Sequence, residues 1–424
     1  MFWTVPPGLS TLVGLSEQFR RGLLSEDTGD PTSRARRPRP DAELGAAWAR
    51  RKRIAGERNG IPAWANWNSD FGRRYTVGVE EEAMLLDAGD LRLRQCGDAV
   101  LSRLSGEMFD HTGLETHAGV LERRTGVHSS VTDAIRELGA LRARLAAAIG
   151  ELGLRGACAG TYPSASVEET RISGARRYRA LAQSMRALAR RSVTMALHVH
   201  VGVPDPEDAT RLLHGLRDRM PVLLALSANS PFCDGRDTGF ASARTVIFQA
   251  FPRTGIPRMF ADYAEYVRAV DLLIRSGALA DPSYLWWDVR LQPALGTVEV
   301  RVMDAQTYLR DTAALVAVVL ALAHMVLESE GMAPAGPPEV LAENRFLAAR
   351  DGIGAAADRR ADGTARAGRL RDSIDAYALP PVCRAARMRR GAASSQRACL
   401  CQWRRAPASV LRLGRPERRG RDAH

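Results

Sequence analysis

Four short segments of this chain alternate between aliphatic and ionisable side chains, and that alternation most limits what it can fold into. Successive side chains on a strand point to opposite faces, so positions i and i+2 share a side. In Val77-Gly78-Val79-Glu80-Glu81-Glu82, Glu80 and Glu82 fall together, opposite Val77 and Val79. In Leu197-His198-Val199-His200-Val201 the two histidines share a face and the aliphatics take the other. Asp288, Arg290 and Gln292 oppose Val289 and Leu291, and Glu299 and Arg301 oppose Val298, Val300 and Val302. A helix, with 3.6 residues per turn, would scatter these pairs. Four strands, each with one aliphatic and one ionisable face, predict a sheet with one apolar side and one chemical side.

The polar set is Glu, His, Asp and Arg rather than the Thr, Ser or Lys of an ordinary solvated strand face. Carboxylates and imidazole are metal ligands, and Mg²⁺ prefers oxygen donors that it shares with substrate phosphates. Arginine supplies planar two-point contacts to phosphate or carboxylate. Each motif alone has a plainer reading. The two histidines can be a hydrogen-bonded structural pair, Glu80-Glu81-Glu82 a solvated acidic turn, and Val298 to Val302 an edge strand with an ion pair. Their joint occurrence points to a site, because ionisable groups cluster where function needs them.

Glu115 and Glu122 flank His117 and extend the carboxylate set. The structural alternative for Glu122 is an ion pair with Arg123 or Arg124. Asn229 lies at a helix end closed by Pro231, and Gly235 to Arg244 form a polar loop with two arginines suited to closing over an anion. Neither GxxxxGK[ST] nor a GxGxxG opening a helix is present, so P-loop and Rossmann sites are not supported.

Apolar residues at helical spacing predict helices over Val131 to Leu152, capped by Ser130, and over Ala175 to Ser192, Asp208 to Ala225, Asp262 to Arg275 and Asp311 to Glu328. The stretch from Thr312 to Leu327 is the most apolar, but it is shorter than the roughly 20 residues a membrane span needs. It is expected to be a core helix, and no membrane association is expected. The N-terminus lacks the basic region of a signal peptide. The six cysteines are scattered, and Cys399 and Cys401 have no upstream CxxC partner, so unpaired thiols in a cytoplasmic setting are expected.

The formal net charge of +12 invites a nucleic-acid reading. Its distribution argues against one. Residues 1–72 carry 11 basic and 8 acidic side chains, residues 73–352 carry 32 and 34, and residues 353–424 carry 17 and 6. Lys52 is the only lysine, a bias of the kind a very GC-rich coding sequence produces. Three regions are therefore expected: an Arg/Pro-rich, partly disordered extension over 1–72, a catalytic domain over 73–352, and a basic tail of low order over 353–424. A nucleic-acid binder would rest on that tail alone.

The segments YTVGVEEEAMLLD, LHVHVGVPD, ALSANSPF, SARTVIFQAFPRTG, LWWDVRLQP and GTVEVRVMDAQT, in this order, resemble the bacterial carboxylate-amine ligases of the glutamate–cysteine ligase type 2 family. The similarity runs from about Arg73 to about Gly352. It implies an α+β fold of glutamine synthetase-like type: a curved antiparallel sheet, a half-barrel funnel, with helices on its outer face. It also implies ATP-dependent amide formation through an acyl phosphate, with the γ-carboxylate of glutamate and the amine of cysteine as substrates, giving γ-glutamylcysteine and ADP. Carried onto this sequence, Glu80, Glu82, Glu122, His198 and Glu299 would ligate Mg²⁺ or Mn²⁺, with Glu115 a further ligand. Glu299 and Arg301 would be catalytic, Arg301 contacting the transferred phosphoryl group or the substrate carboxylate. Arg290, Arg244, His200 and Asn229 would bind nucleotide or substrate. A homodimer is the default assembly from the commonest symmetry.

Three departures stand out. Ala83 replaces a common aromatic residue, Arg123 and Arg124 replace an aliphatic-polar pair, and the family pattern stops after Gly352. Arg123 is expected to compete with metal for Glu122. The abrupt switch predicts that residues after about Ile353 are an out-of-frame or degenerate replacement of further helices, which the coding DNA would reveal in a shifted frame. The alternative function is a member that binds nucleotide or amino acid without turnover.

Overall fold

In the computed structural model of the chain, the described residues are 61–70, 72–164, 170–191, 193–329, 331, 335–354, 356–357 and 368–369. The expected disorder of the extension before residue 61, and most of the expected basic tail, lie outside them. The chain divides into two units, Met1–Asn66 and Trp67–His424. Of the first, a single 3₁₀ turn over Ala63–Ala65 is described.

The second unit is built on one seven-stranded antiparallel sheet: β1 (Val77–Asp87), β2 (Thr112–Leu114), β3 (Val120–Arg124), β4 (Leu154–Ala157), β5 (Ala196–Gly202), β6 (Val289–Gln292) and β7 (Thr297–Asp304). The strand order is β6-β7-β5-β1-β3-β2. The other edge of β1 is shared, its first half pairing with β5 and its second with β4. The sheet does not close into a barrel. β6 and β7 form a hairpin whose turn, Pro293 to Gly296, needs glycine at its last position. Gly296 has φ +60°, and a Cβ there would lie 2.1 Å from the Asn68 carbonyl oxygen.

The apolar face is closed by helices. Val79, Val199, Val201, Val298 and Val300 are fully buried. Four helices pack on the strands: α1 (Val131–Gly150), α3 (Pro206–Arg217), α4 (Met220–Ser227) and α6 (Leu309–Glu328). Between and beyond them lie α2 (Arg176–Met185), α5 (Tyr263–Arg275) and α7 (Pro338–Asp351). α1 buries Leu138, Leu141, Leu145 and Ile149, at roughly 1.5–3 kcal/mol each. Its N-cap is the predicted one: Ser130 Oγ accepts from the Asp133 amide at 3.1 Å. Ser130→Ala is expected to cost about 1 kcal/mol, read as a lower unfolding midpoint. α6 is long and apolar enough to cross a membrane, with mean hydropathy 1.8. It packs on α1, α3 and β5 and buries Leu315, Val316, Val319 and Ala323 among others.

Two predicted helices are broken. Asp208 to Ala225 is not one helix, because Pro221 would stand in mid-helix without an amide to donate. The chain turns between Arg217 and Met220, and Pro221 sits in the first turn of α4. The helix predicted to reach Ser192 ends at Met185. Arg186 takes φ +55°, a left-handed conformation no helix continues through, and a 3₁₀ turn follows.

Candidate active site

The register of the sheet assembles the predicted residues into rows on its polar face. Glu299 of β7 lies between Arg290 of β6 and His200 of β5, and His200 opposes Gly78 of β1. In the next row, Glu80 lies between His198 of β5 and Arg124 of β3. In the third, Glu82 opposes Glu122, and Glu122 opposes Gly113 of β2. β7 carries a bulge between Val300 and Met303, so that Arg301 and Val302 together face His198. The bulge is held by Arg244, whose Nη1 donates to the Val302 carbonyl at 3.1 Å and Nη2 to that of Arg301 at 3.3 Å.

Glu299 is fully buried and organises the arginines. It accepts from Arg290 Nε at 2.6 Å, from Gln292 Nε2 at 2.6 Å and from Arg301 Nη1. Burial pushes its carboxyl up, but Arg290, Arg301 and the two histidines outweigh this and hold it well below the usual range. Burial also opposes ionisation of Glu80, yet His198 and His200 hold it low, at 3.2 and 3.7 Å. His200 Nδ1 lies 3.0 Å from Thr297 Oγ1.

On the other side of His198 the balance reverses. Burial, then the charge of Glu115, lifts Glu82 to about 8, although Ala196 donates its amide to it at 2.9 Å. Burial and the charge of Glu80 raise Glu122 well above the usual range, and burial raises Glu115. For these carboxylates burial and mutual repulsion outweigh the neighbouring arginines.

Among the described residues three groups place one ligand atom from each of three residues within 4.8 Å of one another: Glu80–His198–Glu299 and Glu82–Glu122–His198, which share His198, and Glu107–His111–Glu137. His198 fits a ligand role. Burial, then the charge of Arg301, lowers its pKa to about 4, so the ring is neutral, and its buried Nε2 has no hydrogen-bond partner among the described residues. Oxygen-rich donors with one imidazole suit Mg²⁺ or Mn²⁺. Glu115 belongs to none of these groups but lies near enough to raise Glu82 and Glu122.

The face does not gather every predicted residue in the same way. Asn229 donates its side-chain amide to the Ala305 carbonyl at 2.8 Å, and its backbone amide to Asp304 Oδ2 at 2.8 Å. Arg244 reaches the site from below, through the bulge and Asp304 at 3.7 Å. It shares a small pocket with Arg301, Arg345, Phe248 and Trp286. Asp288 is taken by Arg345 at 2.5 Å. The expected contest between Arg123 and metal for Glu122 does not occur. Arg123 stands one residue on from Glu122, so it points to the opposite face, where it pairs with Glu81 at 2.5 Å. Arg124 is the neighbour that reaches Glu122, at 3.2 Å.

Three features escaped sequence reasoning. Glu81 is fully buried between Arg123 and Arg142 of α1. Its odd position in the Glu80-Glu81-Glu82 run, on the valine face, was the available signal. Asp304 is buried and accepts from Ser230 Oγ at 2.7 Å and Ser242 Oγ at 3.0 Å. Tyr178 of α2, whose OH donates to the Leu114 carbonyl at 2.5 Å, carries a pKa raised by burial and then by Glu115 and Glu122. Nothing local marks either residue.

The described residues thus form an open antiparallel sheet with helices on one face and buried carboxylates, imidazoles and guanidiniums on the other. Two solved structures share a likeness in fold. A bifunctional glutathione synthetase from Pasteurella multocida aligns with TM-score 0.55 at 13% identity, over 81% of this chain and 50% of that one. A glutamate–cysteine ligase from Francisella tularensis, solved in complex with AMP, aligns with TM-score 0.52 at 14% identity, over 80% and 92%. The likeness to these two ligases is one of fold.

The chain belongs to glutamate–cysteine ligase family 2, whose family model matches residues 76–387. A Rubrobacter xylanophilus protein named "Putative glutamate--cysteine ligase 2-1" is 41% identical over 284 residues, 66% of this chain and 75% of the relative. A Sorangium cellulosum protein of the same naming is 39% identical over 251 residues, 59% of this chain and 67% of the relative. The match extends past Gly352, where the composition changes.

Proposed function

We propose that this chain joins the γ-carboxylate of glutamate to the amine of cysteine with hydrolysis of ATP to ADP, using the polar sheet face as its active site and residues 73–352 as the catalytic domain. The observation that carries the reading is His198, shared by two groups of metal-ligating side chains beside the Arg290–Glu299–Arg301 cluster. The family name and the AMP bound to the Francisella tularensis ligase support the choice of substrates and nucleotide.

In this reading a glutamate carboxylate oxygen attacks the γ-phosphorus of ATP, and ADP leaves. The cysteine nitrogen then attacks the acyl carbon, phosphate leaves, and the amine loses a proton. Divalent ions held by Glu80, Glu82, Glu122, His198 and Glu299, with Glu115 alongside, would neutralise phosphate charge. Arg301 stabilises the charge that develops on the transferred phosphoryl group. Arg290 holds phosphate or substrate, and Glu299 fixes both guanidiniums so that little reorganisation is needed. His200 lies beside Glu80, where nucleotide would enter. Arg244 acts by holding the Arg301 bulge, and Asn229 by fixing the segment after β7. Among the described residues, the unpaired thiols of Cys96 and Cys158 accord with a cytoplasmic setting.

The test is ADP release that requires both glutamate and an amine, with a screen of amino acids as the amine. Glu299→Gln is expected to lower kcat by about 10²-fold or more, as loss of a pre-organised electrostatic contact does. Nucleotide binding without turnover in the unaltered protein would favour the alternative reading, a member that binds without catalysing.

A further inference from the structure

Arg124 is a cation that the fold has placed inside the carboxylate cluster. It ends β3 opposite Glu80, and its Nη1 lies 3.2 Å from Glu122 Oε1. Its backbone is fixed on both sides by one residue: its amide donates to the His111 carbonyl at 2.9 Å, and its carbonyl lies 2.6 Å from His111 Nδ1. Its guanidinium lies against Gly113, where a Cβ would approach Nη2 to 2.9 Å and Cζ to 3.3 Å. The neighbouring strand thus lacks a side chain where this guanidinium rests.

Glu122 is claimed twice. It faces Arg124, and it is one of the three residues of the Glu82–Glu122–His198 group. A guanidinium and a divalent ion are alternative counter-charges for the same carboxylate, and a carboxylate oxygen already bonded to one is a poorer ligand for the other. We propose that Arg124 is a tethered counter-cation that holds Glu122 until a divalent ion displaces it, and so sets the metal affinity of the Glu82–Glu122–His198 group. This rests on reading that group as a metal site. Arg124 keeps the metal-free cluster from repelling itself, and it raises the free metal concentration at which the group fills. It is a positioning residue, because it acts through Glu122.

The test measures Mn²⁺ binding to the full chain by the resonance signal of the free ion, and unfolding temperature with and without Mn²⁺. Arg124→Gln is expected to bind Mn²⁺ about tenfold more tightly, since one positive charge in contact with the ligand is removed. It should also unfold at a lower temperature without Mn²⁺ and gain more on adding it. Gly113→Ala presses the guanidinium out of its place without changing any charge, and is expected to tighten binding about threefold. Arg177→Gln removes a charge that acts on Glu115 from an exposed position, and should change affinity less than about twofold. Equal or weaker binding in Arg124→Gln overturns the proposal while leaving the metal site standing. Equal tightening in Arg177→Gln overturns it too, by showing a general charge effect. If Arg124→Gln does not fold, Gly113→Ala alone decides, and unchanged affinity there overturns the proposal. Absence of Mn²⁺ binding in every form, the unaltered chain included, overturns both this proposal and the metal reading.

Discussion

Replacing Glu81 by Gln is expected to destabilise the protein by about 3–5 kcal/mol, the cost of leaving buried cations without their partner. Glu81 has no exposed surface and pairs with Arg123 at 2.5 Å and with Arg142. Arg142 Nη2 also donates to the Gln306 carbonyl at 2.9 Å, so this ion group ties β1, β3 and α1 to the start of α6. Urea unfolding followed by circular dichroism measures the loss. A change below about 1 kcal/mol would show that the two arginines find other counter-charges. Glu82→Gln, one residue on, should behave oppositely. It is expected to leave stability unchanged or higher at pH 8 and to remove divalent-ion binding, because Glu82 lies on the polar face among like charges.

The second large effect is the response of the metal-free protein to pH. Glu82, Glu115 and Glu122 have carboxyls raised by burial and by one another, Glu82 to about 8. A raised carboxyl binds more protons in the folded state than in the unfolded, so stability falls as pH climbs from the ordinary carboxylate range to the folded value. His117 and His198, each lowered to about 4, act in the other direction, but only below the ordinary histidine value of 6.5. Between about pH 6.5 and 8 the carboxylates therefore stand unopposed. The metal-free chain should lose a few kcal/mol across that window. Saturating Mg²⁺ or Mn²⁺ should flatten the dependence, since a bound cation holds the carboxylates ionised. Unfolding midpoints from pH 6.5 to 8.5, with chelator and with metal, measure both. Stability that rises with pH in chelator would contradict the charge assignment.

Much of the candidate site was legible because strand parity is a local rule. Glu80 with Glu82, His198 with His200, and Glu299 with Arg301 each share a face by their spacing alone. The same rule separates Glu81 from its neighbours and Arg123 from Glu122. Applied one residue further, it would have named Arg124 rather than Arg123 as the arginine beside Glu122. The Ser130 cap was equally readable: its Oγ accepts from the Asp133 amide. The breaks were less so. Pro221 was visible as an obstacle to one helix, but the left-handed turn at Arg186 has no glycine to announce it.

The sequence by itself determined which residues face together on each strand, the position of most helices, the family and the near neutrality of the central region. These depend on period, capping and order along the chain. Only the tertiary structure decided that β5 lies between β1 and β7, so that His198 meets both Glu80 and Glu299. The reason is that strand order is a choice among pairings whose partners stand over a hundred residues apart, such as Glu80 and His198. It likewise decided that β7 bulges at Arg301 and Val302, whose carbonyls Arg244 holds, and that Gly113 leaves the place in which Arg124 rests against Glu122.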